Sequence, residues 1–182
     1  MKGAVFVGFS DFVEQTYGLT TWLKALDSVS LPSNGEYIST EIYEDEELFT
    51  LLGAINELTS VTAIDLSRQF GRYFFKTLYS ITQHHVADIE NLFEFLEAVD
   101  NVIHIEVKKA DPLAYTPTLL YDQPSDDTLI VRYMSKRKMC HFAEGLILGA
   151  ADHFDQPVDV SQIACMHEGE KHCLIKVTKQ AS

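Results

Sequence analysis

A row of polar side chains closes one predicted β-strand of this chain. Residues 128–137 spell TLIVRYMSKR, and because side chains alternate faces along a strand, Tyr133, Ser135 and Arg137 share one side. The row spans roughly 13 Å at about 3.3 Å per residue. Arginine offers a planar pair of donors to a carboxylate, and two hydroxyls add neutral donors to the same anion. The row therefore indicates a site for an acidic group against an apolar wall, with a solvent-exposed strand end as the alternative.

A second residue that can do chemistry is His104, which lies in the apolar helical stretch VIHI. A neutral imidazole can ligate a metal through one nitrogen while the other donates to a backbone carbonyl, which fixes the tautomer. A histidine on an apolar helix face is more often a hydrogen-bonded core residue. The residue type alone therefore leaves metal ligation and plain packing both open.

This histidine, followed by Tyr-x-Ser-x-Arg, resembles the haem–nitric oxide/oxygen binding (H-NOX) family. The likeness extends from the first three residues, MKG, to the cysteine-rich end of the chain. Other matching stretches are Phe70–Phe75 (FGRYFF), Pro117 and Ala143–Ala150 (AEGLILGA). The resemblance implies a haem b whose iron is ligated by His104 and whose propionates are held by Tyr133, Ser135 and Arg137.

The resemblance also implies the lining of the haem pocket. It puts Pro117 against the haem face, where the family is known to distort the ring. The residues it assigns to the gas-binding side are all hydrocarbon: Val5, Phe9, Phe74, Phe142 and Leu146. Bound oxygen is held much better by a hydrogen-bond donor on that side, and oxygen-binding family members carry a tyrosine where this chain has Phe142. The pocket therefore predicts binding of nitric oxide and carbon monoxide without a stable oxygen complex.

Three cysteines, Cys140, Cys165 and Cys173, are too few and of the wrong parity for a disulfide framework, which favours a reducing cytoplasm. Thiolates and imidazoles suit tetrahedral zinc. Some bacterial members of the family bind zinc through cysteines at these places and a histidine three residues before the second, a place that Gln162 takes here. Two interpretations stay open: a zinc site with His167 as the fourth ligand, or three reduced thiols.

The composition limits the classes of partner that the chain can bind. The chain has 182 residues, 46% of them hydrophobic and 23% charged, which is enough apolar material for one domain that encloses a cofactor. Its net charge of −13, from 14 basic and 27 acidic residues, argues against nucleic acid or an anionic membrane as the main partner. No apolar run has the length of a membrane span, and the apolar start is interpreted as part of the mature fold.

Hydrophobic periodicity predicts an α+β fold. It predicts a helical N-terminal lobe (1–60) packed on a mixed lobe (61–182) with a four-stranded antiparallel sheet, and the resemblance implies that the haem lies between them. Helices are predicted at 3–17, from a cap at Thr20 or Thr21 with Trp22, Leu23 and Leu26 as the apolar face, from the acidic run 41–47, which opens its helix, at 60–83, at 88–109 with a bend near Asp100, and at 139–154. In the helix 60–83, Thr62 and Asp65 have the spacing of a capping box, Gly71 indicates close packing, and Thr77, Leu78 and Ile81 belong to the predicted buried side. Strands are predicted at 118–121, 128–135, 158–165 and 173–178, with a turn at 122–127.

No catalytic motif stands out, so an enzyme is not predicted. The resemblance implies a gas sensor in which nitric oxide weakens or breaks the iron–His104 bond, the haem relaxes and the two lobes shift. Because no kinase or cyclase domain follows Ser182, we expect the signal to act in trans on a histidine kinase or on a diguanylate cyclase or phosphodiesterase. The alternative is a zinc or thiol redox-switch regulatory protein in which haem is secondary.

Overall fold

The computed structural model describes residues 1–180 and has the helical first half and mixed second half that the sequence predicts. The helices are α1 (Gly3–Tyr17), α2 (Leu19–Ser28), α3 (Asp45–Thr59), α4 (Ala63–Thr82), α5 (Leu92–Ala98), α6 (His104–Ala110) and α7 (Cys140–His153). The strands are β1 (Thr118–Ser125), β2 (Thr128–Met134), β3 (Val158–Ala164) and β4 (Cys173–Lys179). Within this described part, no helix is long and apolar enough to cross a bilayer.

The four strands form one antiparallel sheet in the order β1-β2-β4-β3, which confirms the predicted α+β class. The predicted turn at 122–127 is wrong in extent, because β1 continues to Ser125 and only Asp126 and Asp127 separate it from β2. An irregularity between Asp122 and Ser125 accommodates Pro124, which an edge strand tolerates since its N–H side need not pair.

The first two helices meet at Gly18, whose φ of 89° is a conformation that glycine adopts without strain. The chain turns there, so α2 begins at Leu19, and the predicted cap at Thr20 or Thr21 is wrong. The Thr21 hydroxyl instead donates to the carbonyl of Tyr17 at 2.8 Å. Leu23, predicted on the apolar face, is half exposed (50%), because Trp22 and Ala25 form the buried stripe.

The acidic run that leads into α3 includes a buried residue, although the sequence indicated that the run is exposed to solvent. The helix begins at Asp45, so Asp45, Glu46 and Glu47 form its first turn, where negative charge suits the helix dipole. Glu47 is nevertheless buried and accepts hydrogen bonds from the hydroxyls of Ser33 and Tyr37. A face that looks solvated in the sequence therefore contributes a buried carboxylate to the first lobe.

Helix α4 is capped as predicted, since the Thr62 hydroxyl accepts from the Asp65 amide at 3.1 Å. Gly71 packs against Gly145 of α7, and a side chain there would overlap the carbonyl oxygen of Phe142, which confirms the expected close approach. Three residues predicted to be buried are exposed: Thr77, Leu78 and Ile81. In the last two turns of α4, Phe75 and Tyr79 make the contacts with α5 and α7.

The predicted helix 88–109 is divided in two. The first of the two helices, α5, begins at Leu92, because the Asn91 side chain accepts hydrogen bonds from the amides of Phe93 and Glu94. Between α5 and α6, residues Val99–Ile103 form a π-helical turn. The expected bend near Asp100 is this turn, and such turns occur frequently at functional sites.

Two hydrophobic clusters make the core. One is built from α1 to α4 and the other lies between the sheet and helices α5 and α7. Helix α4 serves both, since Phe74 belongs to the first cluster and Phe75 to the second. The residues that the sequence assigns to the gas-binding side belong to the first cluster or pack against it, except for Leu146, which packs against the second. Tyr133 belongs to the second cluster, so a pocket that includes these residues lies where the two clusters meet.

Candidate functional site

His104 is the first residue of α6 and directly follows the π-helical turn. Its Nδ1 lies 3.0 Å from Oδ1 of Asp100, one turn earlier. The partner that the sequence analysis expected was a backbone carbonyl, and the structure shows a carboxylate. With Asp100 ionised, Nδ1 carries the hydrogen and Nε2 keeps its lone pair.

The surroundings of His104 suit a neutral ligand. Its side chain is 13% exposed. Burial lowers its pKa, and the hydrogen bond to Asp100 opposes this shift without overcoming it. Among residues 1–180, no group hydrogen-bonds to Nε2. A neutral imidazole with one nitrogen anchored and the other uncommitted is the donor that haem iron takes, so this residue fits the group.

Tyr133 and Ser135 lie at the end of β2 and just beyond it, and both are buried, so the alternative of a solvent-exposed strand end is wrong for them. The Tyr133 hydroxyl accepts from the Met139 amide at 3.1 Å, and Ser135 Oγ accepts from the Arg137 amide at 3.2 Å. Burial raises the pKa of Tyr133 to about 12. Both hydroxyls therefore keep a hydrogen that they can donate to an anion.

Arg137 reaches the first turn of α3. Its Nε donates to Asp45 Oδ2 at 2.7 Å, and its Nη1 donates to the carbonyl of Tyr115 at 3.2 Å, with the Tyr115 ring 4.7 Å away. Its Nη2 has no partner within the part of the chain that the structure describes. One arm of the guanidinium is thus available for a further carboxylate.

Asp45 and Tyr115 are site residues that the sequence analysis missed. Asp45 also pairs with the N-terminal amine at 3.0 Å. Burial would raise its pKa, but the hydrogen bonds from Arg137 and the amine lower the pKa below its usual range. A cleft of about 410 Å³ opens beside this group, and its lining is Met1, Ile42, Tyr43, Glu44, Asp45, Glu46, Lys136 and Arg137. The only signal in the sequence was an acid in a first helical turn, which has commoner explanations.

Three of the five residues expected on the gas-binding side pack around Phe70, a residue that the sequence did not assign to this wall. Phe70 lies between them, with ring centroids 5.1 Å from Phe9, 5.3 Å from Phe74 and 5.0 Å from Phe142. Phe9 and Phe74 are buried, whereas Val5, Phe142 and Leu146 are only partly buried. None of these side chains has a polar atom. Pro117 is also partly buried and directly precedes β1.

The three cysteines converge although they lie far apart in the chain. Sγ of Cys165 is 3.8 Å from Sγ of Cys140 and 3.9 Å from Sγ of Cys173, and all three are buried free thiols. Burial raises the pKa of Cys140 and Cys173. Tetrahedral zinc with Zn–S bonds of about 2.3 Å separates its sulfurs by about 3.8 Å, so the spacing fits that metal.

The histidines near the thiols leave the fourth zinc ligand open. His167 Nε2 lies 2.8 Å from the carbonyl of Lys138. His167, Cys140 and His141 form a second group of potential ligands. This group shares only Cys140 with the group of three cysteines. Gln162, at the place where some relatives have a ligand, contacts His141 at 3.1 Å. His141 therefore becomes an alternative to the His167 that the sequence favoured.

Comparison with known proteins identifies the fold and the family. The Haem-NO-binding family profile matches residues 2–162. The crystal structure of the Fe(II) unliganded H-NOX protein from K. algicida is 29% identical, with a TM-score of 0.89, 100% of this chain covered and 98% of that one. The H-NOX protein from S. oneidensis in the Fe(II)NO ligation state is also 29% identical, with a TM-score of 0.90 and both chains fully covered.

A curated relative is much longer. Soluble guanylate cyclase 89Db of Drosophila melanogaster is 22% identical over 139 residues, which is 75% of this chain and 20% of the cyclase. The chain thus spans about a fifth of the length of that relative, so the likeness does not extend to the whole cyclase.

Proposed function

This chain belongs to the haem–NO-binding (H-NOX) family, and from that premise we propose that it is a gas sensor that binds nitric oxide at a ferrous haem b. The observation that carries the proposal is His104, whose Nδ1 is anchored by Asp100 while Nε2 is uncommitted. When bound, the haem would supply a ferrous iron that takes a diatomic gas, and His104 would hold that iron through Nε2. Nitric oxide and carbon monoxide are the gases that we propose.

The other residues have distinct parts in this proposal. Tyr133 and Ser135 would donate their hydroxyl hydrogens to the propionates, and Arg137 would offer Nη2. Arg137 already links the two lobes through Asp45, so a propionate at this place joins an ion pair that spans the lobe boundary. Binding at the haem is therefore coupled to the contact between the lobes.

The signal would pass to a histidine kinase or to a diguanylate cyclase or phosphodiesterase on a separate chain, with this chain itself not an enzyme. Such a partner responds only if it binds the gas-bound and gas-free conformations with different affinity. The net charge of −13 favours a partner that presents basic residues. Three free thiols are typical of a reducing compartment, which supports the cytoplasm as part of the proposal.

The test of this function is spectroscopic. The purified protein, supplied with haem and reduced without oxygen, should show a Soret band that shifts on adding nitric oxide and saturates at one equivalent per chain. A protein that remains colourless after incubation with haem, or whose Soret band does not respond to nitric oxide, contradicts the proposal.

Replacing Arg137 with alanine should accelerate haem loss. A hydrogen-bonded pair between Arg and a carboxylate contributes about 1.5–3 kcal/mol when sheltered, which corresponds to roughly tenfold to 150-fold faster transfer of haem to apomyoglobin. Arg132→Ala is the control, because Arg132 is an exposed arginine on β2, the strand that precedes Arg137. If Asp45→Asn accelerates the transfer as much as Arg137→Ala does, Arg137 acts only through Asp45 and does not hold a propionate.

We also propose a zinc ion at Cys140, Cys165 and Cys173. The observation that favours it is the 3.8 and 3.9 Å spacing of the sulfurs. None of the comparisons supports a zinc or thiol switch as the main function, so the metal is proposed as a structural part of the second lobe.

If zinc is bound, freshly purified protein should contain close to one zinc per chain, and each Cys→Ser change should lower that content several-fold. The fourth ligand is then found by comparing His167→Ala with His141→Ala. His172→Ala is the control, since His172 belongs to neither group of potential ligands. Three thiols that titrate freely in chelator-free, zinc-free protein would exclude the site.

A further inference from the structure

One carboxylate oxygen connects the histidine helix to the sheet. Oδ1 of Asp100 lies 3.0 Å from Nδ1 of His104 and also accepts the backbone N–H of Leu119 at 3.3 Å. Leu119 is the second residue of β1 and follows Pro117 by two positions. Asp100 thus contacts both α6 and β1, which the connecting segment 111–117 separates in the chain.

Strand β1 also contacts the anion-binding row, which consists of Tyr133, Ser135 and Arg137. In the antiparallel pairing of β1 with β2, Leu119 lies opposite Tyr133. The route from His104 to Tyr133 therefore consists of two hydrogen bonds to one oxygen and one cross-strand pair. His104 and Tyr133 are the residues expected to hold opposite parts of one haem, the iron and a propionate.

The backbone conformation around Asp100 places its carboxylate near both His104 and Leu119. Asp100 belongs to the π-helical turn Val99–Ile103, which delivers its carboxylate to both partners. A continuous α-helix would present a different face at this point, because a π-helical turn inserts one extra residue. Turns of this kind occur frequently at functional sites, and this one contains the hydrogen-bond partner of His104.

We infer that Asp100 is a positioning residue that sets the strength of the iron–His104 bond and transmits displacement of His104 to β1. This inference rests on the proposed function. A carboxylate that accepts the Nδ1 hydrogen makes the imidazole a stronger donor, as outer-shell partners of metal-bound histidines do. Because the oxygen is shared with Leu119, movement of His104 away from the iron pulls on the strand that pairs with Tyr133.

The effect on iron is tested with Asp100→Ala and Asp100→Asn in the haem-loaded protein. The iron–histidine stretching band of the ferrous form should move to lower frequency in Asp100→Ala and by less in Asp100→Asn, whose amide oxygen can still accept. The reduction midpoint should become more positive in the same order. On adding nitric oxide, a larger fraction of Asp100→Ala than of the wild type should lose the histidine bond.

Asn101→Ala is the matched control. Asn101 neighbours Asp100 in the same turn and is exposed, and among residues 1–180 its side chain donates only to the carbonyl of Glu97. Its replacement should leave the stretching band and the midpoint unchanged. Equal bands and midpoints in wild type and Asp100→Ala, in proteins whose band depends on His104, would overturn the inference and leave the proposed function standing.

The link to the sheet is measured without haem, by amide hydrogen exchange. Exchange at Leu119 should become about tenfold faster in Asp100→Ala, the factor expected for losing a hydrogen bond to a charged group, while the next amide, Leu120, changes little. Unchanged exchange at Leu119 would overturn the link. Failure of the wild type to bind haem would instead refute the proposed function, and with it the part of the inference that concerns iron.

Discussion

His104→Gly is expected to lower the haem content of the purified protein at least tenfold. The substitution removes the side chain proposed as the iron ligand and leaves Asp100 without its imidazole partner. Glycine leaves a space at the same place, so free imidazole should enter it and restore the Soret band. The measurement is the ratio of Soret to protein absorbance after purification with and without imidazole.

His84→Gly is the control for this prediction, because His84 is an exposed histidine in the short turn after α4. It should keep the haem content of the wild type. A His104→Gly protein with full haem content and an unchanged ferrous spectrum in the absence of imidazole would show that another residue ligates the iron.

The reduced protein is expected to bind nitric oxide and carbon monoxide and to show no lasting oxygen complex in air. Stable oxygen binding requires a donor that hydrogen-bonds the partly negative gas. The side chains expected on the gas-binding side (Val5, Phe9, Phe74, Phe142 and Leu146), and the Phe70 ring between them, contain only carbon and hydrogen. Nitric oxide needs less assistance, because its bond to ferrous iron is intrinsically strong.

The measurement is the absorption spectrum of the ferrous protein before and after exposure to air. Phe142→Tyr should add oxygen affinity, since Phe142 is only partly buried and its ring contacts Phe70 at the centre of the wall. Phe154→Tyr is the control, a change of the same chemistry at a residue that is also partly buried but packs against the second cluster and is not assigned to the pocket. A lasting oxygen spectrum in the unmodified protein would mean that a donor reaches the pocket.

Local features of this fold could be predicted from the sequence, because they depend on neighbours in the chain. The periodicity of α1, the Thr62 cap and the alternation in β2 each involve residues within one or two turns or along one strand. The α+β class and the four strands follow from the same signals, and the family resemblance added His104 and the anion-binding row. The predicted bounds were wrong mainly at the ends of helices and strands, as at Gly18 and at the β1–β2 turn, where the conformation of one residue decides the boundary.

Only the tertiary structure decided which distant residues meet. Arg137 and Asp45 are 92 positions apart, yet they form an ion pair 2.7 Å long between the segment after β2 and the start of α3. Glu144, which looked like one acid among many, is buried against Arg68 at 2.8 Å. Spacing in the chain carries no information on such pairs, because the folding of the whole chain sets their distance.

The contrast is sharpest at His104. Its place on an apolar helix was visible in the sequence, but its partner was not. Asp100 has the ordinary i−4 spacing, but the π-helical turn between them and the amide of Leu119 on a later strand determine what its carboxylate contacts. Sequence determined which residue could ligate iron. The fold determined what holds that residue in place, because the second hydrogen bond to the carboxylate exists only once helix and sheet have packed together.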